Sequence, residues 1–322
     1  MKSLGLHHVS SLVSDSHVSY DFYHNILGLK LLMKTVNQDD TSMYHLFFSD
    51  MAGRPGTEFT VFQINTFKQN TFGTNAIERT IFGVPNREAL DYWEKRLDDY
   101  SIEHWGIEQY GDSNILRFED PDGLKLGFSV LRQPEHEFLP NTSSDIPADY
   151  AVAGIHSIHL RVRYPKATQN ILEQWFDFFF SQEIPDPRFP VTVLTNKNSV
   201  FQHEVHLIED GINPLEDQGI GGIHHLAFYV ETHEDLMEIQ EKIEEKNMIT
   251  SGILPREFFD ATYFREPNGL LFEVATKTRP VPSVEDTATI DELPLYLPDF
   301  LEPQRPRIEE ELTNIDRYRK ER

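Results

Sequence analysis

GIGGIHHLAFYV, residues 219–230, reads as an apolar strand carrying two adjacent histidines. GLLFEVA at 269–275 reads as a second strand with one carboxylate, Glu273, between Phe272 and Val274. LGLHHVSSLV at 4–13 nearly repeats the first stretch. Strand alternation puts Leu6, His8, Ser10 and Leu12 on one face and His7, Val9, Ser11 and Val13 on the other.

Working outward, four segments share one plan: a short strand, an amphipathic helix, then further strands. In the first, DSHVSYDFYHNILG follows LGLHHVSSLV as a helix with Val18, Phe22 and Ile26 spaced by four and Gly28 at its C-cap; LKLLMKTV, MYHLFFSD and GTEFTVFQI read as strands. In the second, AIERTIFGV leads into NREALDYWEKRLDDY, N-capped by Asn86, with an apolar stripe of Leu90, Trp93 and Leu97. NILRFEDPDGLKLGFSV closes it as a hairpin around DPDG. The third opens at AGIHSIHLRV, has a helix rich in Ile171, Trp175, Phe176 and Phe179, and closes with VFQHEVHLIE. The fourth runs from GGIHHLAFYV through THEDLMEIQEKIEEK, N-capped by Thr232, to TYFREPNGLLFEVA.

This pattern predicts an α+β protein of four βαβββ modules in two pairs, with curved mixed sheets. Residues 1–131 form the N-terminal pair, 132–150 a Pro- and Ser-rich linker, 151–276 the C-terminal pair, and 277–322 a Pro-rich tail ending in a short charged helix around IEEEL and loose last residues.

Composition narrows the function. A net charge of −24 argues against nucleic acid and anionic membrane surfaces as partners. The absence of cysteine excludes disulfides and thiolate chemistry, so any metal must be held by His and carboxylate. No secretory pattern and no membrane-length apolar run is found, so a cytoplasmic protein is expected. A homo-oligomer is left open.

The repeat allows equivalent positions to be compared within the chain. His8 matches Arg79, Ser157 and His225. Glu273 matches Thr60 and Gly127, with the counterpart in the third module undefined. Imidazole recurs only in the first and last modules and the carboxylate only in the last, which singles out His8, His225 and Glu273. A lone strand histidine is ordinarily a hydrogen-bonded core residue, and His45, His159, His203 and His206, which match no pattern, are read that way. A carboxylate between Phe272 and Val274 must face solvent, pair with an arginine such as Arg265, or bind a metal, because burying it unpaired costs several kcal/mol. Two His and one carboxylate on one face leave three adjacent positions open on an octahedral ion, which suits Fe(II) holding substrate and dioxygen side by side; Mn(II), Co(II) and Zn(II) accept the same ligands.

HHVS, FYHNILGLKL, GGIHHLAFYV and REPNGLLFEVAT resemble the vicinal-oxygen-chelate superfamily, which includes glyoxalase I and the extradiol ring-cleaving dioxygenases. TVNQDD at 35–40, YHLFFSD with GRPGT at 44–57, YFREPNGLLFEVAT at 263–276 and LPDFLEP at 297–303 are most similar to the ring-cleaving dioxygenases of hydroquinone resistance in low-GC Gram-positive bacteria and to hydroquinone 1,2-dioxygenases. The resemblance covers nearly the whole chain. It implies vicinal-oxygen-chelate barrels and Fe(II) on His8, His225 and Glu273, with Mn, Co, Zn or Ni as surrogates. It further implies active-site roles for His7, His224, Ser10, Arg256 and Tyr263. His7 and Ser10 would contact substrate; Arg256 would hold a developing anion, Tyr263 would hydrogen-bond a reacting oxygen, and His224 would carry a proton. Ser10 departs from the threonine common in that group but keeps the hydroxyl. In a regular strand His7 and His224 point away from the ligand face, so their participation requires a bend or bulge. The implied reaction inserts O2 into a hydroquinone-type aromatic, in detoxification of quinones and hydroquinones. Two alternatives are a glyoxalase-like isomerase or thiol transferase, and a non-catalytic quinone- or drug-binding protein. The first usually needs a fourth ligand where Thr60 stands.

Overall fold

In the computed structural model residues 2–64, 66, 68–132, 138–280 and 289–320 are described, with side chains to Thr313. The first module supplies β1 (Ser3–Val13), β2 (Lys30–Val36), β3 (Tyr44–Ser49) and β4 (Glu58–Gln63), and the second β5 (Ala76–Val84), β6 (His104–Tyr110), β7 (Ser113–Glu119) and β8 (Lys125–Val130). The third supplies β9 (Gly154–Val162), β10 (Phe178–Ile184), β11 (Val191–Asn196) and β12 (Glu204–Glu209), and the fourth β13 (Ile223–Val230), β14 (Thr250–Pro255), β15 (Asp260–Arg265) and β16 (Leu271–Ala275). The helices are α1 (Ser16–Tyr20), α2 (Arg87–Asp99), α3 (Pro165–Phe176), α4 (His233–Glu245) and α5 (Arg305–Lys320).

Two eight-stranded mixed sheets result, in the orders β14-β15-β16-β13-β1-β4-β3-β2 and β10-β11-β12-β9-β5-β8-β7-β6. Four βαβββ modules are therefore present, but the two modules of each half of the chain do not share a sheet. Module one joins module four through the antiparallel pair β1–β13, and module two joins module three through β5–β9. The opening strands are buried on both faces, so each needs a partner on either side. One side takes the parallel closing strand of its own module; the other takes the opening strand of a module from the other half of the chain.

Helix boundaries follow local chemistry. Thr232 forms a capping box with Asp235, and Asn86 accepts from the Ala89 amide. The third helix ends at Asp177, in the left-handed region at φ 54°. Phe179 therefore lies in β10, where it is exposed, and not on the helix stripe as read from sequence. The first helix also differs. It widens after Tyr20 into a π-helical turn over Asp21–Ile26. Widening turns the adjacent Phe22 and Tyr23 both into the core while Val18 stays exposed, so the i, i+4 stripe is not the buried face. Gly28, at φ 71°, ends this segment as expected. The terminal helix is longer than the short segment expected around IEEEL and continues to Lys320, into the stretch expected to be loose. Among the described residues, no helix is long and apolar enough to cross a membrane.

Candidate metal centre

Strand registers give the repeat alignment a geometric test. Ser10 lies beside Thr60, Ala227 beside Glu273, Ile81 beside Gly127 and His159 beside His206. Each first member lies two residues after His8, His225, Arg79 or Ser157. The equivalences read from sequence are thus structural ones, and the undefined counterpart in the third module is His206.

His8, His225 and Glu273 come from three adjacent strands and converge. His8 Nε2 is 3.1 Å from His225 Nε2 and 3.3 Å from Glu273 Oε2, and His225 Nε2 is 2.8 Å from that oxygen. All three side chains are buried. For metal–ligand bonds of about 2.1 Å, neighbouring ligands at right angles sit about 3.0 Å apart, so the donor atoms are spaced as adjacent ligands of one ion.

The protons point the same way. His7 Nε2 is 3.0 Å from the Thr276 carbonyl, which can only accept, so His7 carries its proton there. Its Nδ1, 3.0 Å from His8 Nδ1, must then accept, so His8 carries its proton on Nδ1 and presents a lone pair at Nε2. His224 Nδ1 stands 2.8 Å from His225 Nδ1, a pair in which either nitrogen can carry the proton. Neither Glu273 oxygen has a hydrogen-bond partner of good geometry, although His225 Nε2 lies 2.8 Å from Oε2. A buried carboxylate beside two imidazoles that can each turn a lone pair toward the same point is a donor set that fits a divalent metal.

Burial raises Glu273, but positive charge and N–H groups on the His8 and His225 imidazoles hold it well below the usual carboxylate range, and a cation between the three groups would act in the same direction. Burial depresses His7 and His224, each to about 3, so both are neutral partners. Behind His7, burial pushes Glu58 up to about 7, and the Thr278 hydroxyl donates to it at 2.9 Å. His7, His8 and Glu58 form a second convergent group, but the His8 nitrogen in it is the one already bonded to His7.

The ligands open on a cavity of about 290 Å³ lined in part by Phe47, Phe62, Phe258 and Phe259. Every strand of this sheet contributes lining residues, so the sheet curls around the cavity. Ser10, His224, Arg256 and Tyr263 all line it. Arg256 Nε donates to Tyr263 Oη at 3.3 Å, and its guanidinium grips Asp39 at 2.8 and 3.2 Å. Burial, reinforced by the Glu273 charge, keeps Tyr263 well above its ordinary value and protonated. His7 differs from expectation. It stands behind His8 and does not line the cavity, which removes the geometric basis for substrate contact. Both histidines of the first pair can serve the site because the β1–β13 register shifts between Leu6 and Val9, breaking strict alternation.

Sequence reasoning missed His45, Asp39 and Tyr296, which also line the cavity. His45 was read as structural. Its register counterpart in the third module is Val191, paired with Ile208 as His45 is with Phe62, so no recurring imidazole marked it. Among the described residues, the equivalent region of the second sheet is filled. It holds Tyr110, His159 and His206 stacked at 4.6 to 5.7 Å around a cavity of about 10 Å³.

With this geometry in hand, a family model described as the Glyoxalase/Bleomycin resistance protein/Dioxygenase superfamily matches residues 5–128 and again 125–274. The chain belongs to that superfamily. Within it, the chain is 37% identical over 318 residues to the "Putative ring-cleaving dioxygenase MhqA" of Bacillus subtilis, covering 98% of this chain and all of the relative. It is 25% identical to the chlorohydroquinone/hydroquinone 1,2-dioxygenase of Sphingobium indicum over 84% of each chain. A solved Bacillus subtilis structure described as a putative dioxygenase superposes with a TM-score of 0.85 at 29% identity, covering 97% of both chains. A maize glyoxalase I variant shares the fold, with a TM-score of 0.63 at 14% identity, over 85% of this chain and 92% of that one.

Proposed function

We propose that this superfamily member is an Fe(II)-dependent, extradiol-type ring-cleaving dioxygenase acting on a hydroquinone-type aromatic, serving to remove toxic hydroquinones and quinones. The observation that carries the reading is the two-histidine, one-carboxylate set at the floor of an aromatic-lined cavity, with hydroxyl-bearing Thr60 where a fourth ligand would stand. Thr60 Oγ1 is engaged by Ser10 at 2.7 Å and His45 at 2.9 Å, which weighs against the four-ligand isomerase alternative. The names of the relatives support the reaction class.

His8, His225 and Glu273 would hold the metal, which would supply Lewis-acid binding of the phenolic oxygen and of dioxygen and a route for electrons between them. The other roles belong to the chain. Phenylalanine walls stack on the ring and exclude water. Arg256 brings a fixed positive charge to an anionic oxygen on the ring, and Tyr263 Oη, held protonated, donates to the same region. His224, neutral and with Nδ1 turned to His225, has Nε2 as the atom at which it can hold or give a proton. Ser10 places a hydroxyl beside the ligands.

The test is oxygen uptake after anaerobic reconstitution with Fe(II), using methylhydroquinone against catechol. Uptake with methylhydroquinone, accompanied by a ring-opened product, is the expected result. Uptake with catechol alone would move the substrate class. No uptake with either, at stoichiometric bound iron, would sink the dioxygenase reading.

A further inference from the structure

Ser10 on β1, Thr60 on β4 and His45 on β3 form a hydrogen-bonded row, with Ser10 and His45 lining the cavity and Thr60 buried between them. Ser10 Oγ meets Thr60 Oγ1 at 2.7 Å, and Thr60 Oγ1 meets His45 Nε2 at 2.9 Å. The strands are neighbours in the order β1-β4-β3. At about 4.8 Å per strand, the His45 backbone lies roughly 10 Å around the curled sheet from the β1 ligand strand. The row therefore leads from the strand that carries His8 to His45, two strands away.

His45 is held in place there. Its ring packs against Phe47 and Phe62, with centroids at 4.0 and 3.9 Å. Nε2 is committed to Thr60, while Nδ1 has no hydrogen-bond partner among the described residues. The side chain is half-buried and lines the cavity. Burial, with the ligand imidazoles nearby, keeps it neutral. A neutral imidazole backed by two hydroxyls can offer either a donor or an acceptor, because Thr60 and Ser10 can reverse their hydrogen bonds together.

A strand histidine bonded to a threonine is ordinarily structural. Here one nitrogen is spent on structure and the other is left for whatever fills an aromatic-walled cavity. We propose that His45 is a specificity-determining residue, hydrogen-bonding through Nδ1 to the ring hydroxyl remote from the metal and so selecting two hydroxyls on opposite sides of the ring. This rests on the hydroquinone reading above.

The test compares hydroquinone with phenol, which lacks the remote hydroxyl, binding anaerobically to the Fe(II)-loaded protein. The wild type should prefer hydroquinone about tenfold, the worth of one buried hydrogen bond. His45→Phe should bring the two dissociation constants within about twofold, chiefly by weakening hydroquinone. His45→Gln, which retains a donor and an acceptor, should restore most of the preference, and Thr60→Val should give an intermediate ratio. A purely structural role would weaken both ligands alike and leave their ratio unchanged. An unchanged ratio in His45→Phe, with metal content and melting temperature intact, overturns the inference; should that variant fold poorly, Thr60→Val at the wild-type ratio does so. If the wild type shows no preference and consumes no oxygen with any hydroquinone, the functional reading itself fails. Oxygen uptake by the wild type alongside an unchanged ratio in the variants would leave that reading standing and remove only His45.

Discussion

His8, a proposed metal ligand, is set by the histidine before it. His7 fixes the proton of His8 by giving its own to the Thr276 carbonyl, so the His7 side chain acts on the metal site without entering the cavity. His7→Phe should therefore lower metal affinity by roughly 10- to 100-fold, as other losses of ligand-orienting partners do. Metal titration of the apoprotein reads this directly. Glu273→Gln should go further and leave substoichiometric iron by elemental analysis; retained iron with full activity would take Glu273 out of the site. Away from the metal, Asp120 gives a residue-scale pH dependence. Burial raises its carboxyl to about 7, and the Tyr23 hydroxyl donates to it at 2.7 Å. Because the folded-state value lies above the unfolded one of about 3.9, the native state binds more protons between those values. Its contribution to stability is present at low pH and falls as pH rises toward 7. Urea unfolding of the apoprotein should show Asp120→Asn losing part of the decline between pH 5 and pH 8; an identical decline would reject this origin.

At the scale of elements, the strands at the two ends of the curled sheet are β2 and β14. The segments that follow them carry Asp39 and Arg256, whose bidentate ion pair spans the two edges and lines the cavity. Asp39 is 70% exposed, so solvent screens the pair and it contributes little to stability, within about 1 kcal/mol. Its consequence is for binding: Arg256 is held between Asp39 and Tyr263. Asp39→Ala should leave the melting temperature within a few degrees of wild type and shift the apparent KM for the aromatic substrate. A large loss of stability with unchanged KM would make the pair structural. The first helix teaches a related lesson. Its apolar spacing of four marks a helix, but burying both Phe22 and Tyr23 needs the π-helical turn, which no stripe of the ordinary period specifies.

For the molecule as a whole, the proposed ligand set is divided between the halves of the chain. His8 lies in the first half and His225 and Glu273 in the second, joined along β1–β13. Residues 1–131 or 151–276 produced alone should each fail to hold stoichiometric metal, because each lacks ligands and leaves a two-sided buried strand open. Elemental analysis with size-exclusion chromatography checks this. A half that binds one metal per chain tightly would mean that the site is assembled differently.

Much of this protein is legible in its sequence. Strand alternation and helix periodicity report which side chains a local element can bury, and these delimit four modules closely. Capping residues such as Asn86 and Thr232 mark helix starts because they satisfy amides only one turn away. The repeat also separates His8, His225 and Glu273 from their counterparts, since equivalent backbone positions occupy equivalent places in each sheet. Tertiary structure decided the rest. Which modules share a sheet depends on pairing between strands about 80 residues apart in one sheet and about 220 in the other, and each opening strand presents similar edges to several partners. The bulge that brings His7 behind His8 comes from that pairing, not from the composition of the strand. His45 could be seen as part of the cavity only once β3 had curled toward the ligand strands, because a residue without a counterpart in the repeat acquires meaning from what lies across the space it faces.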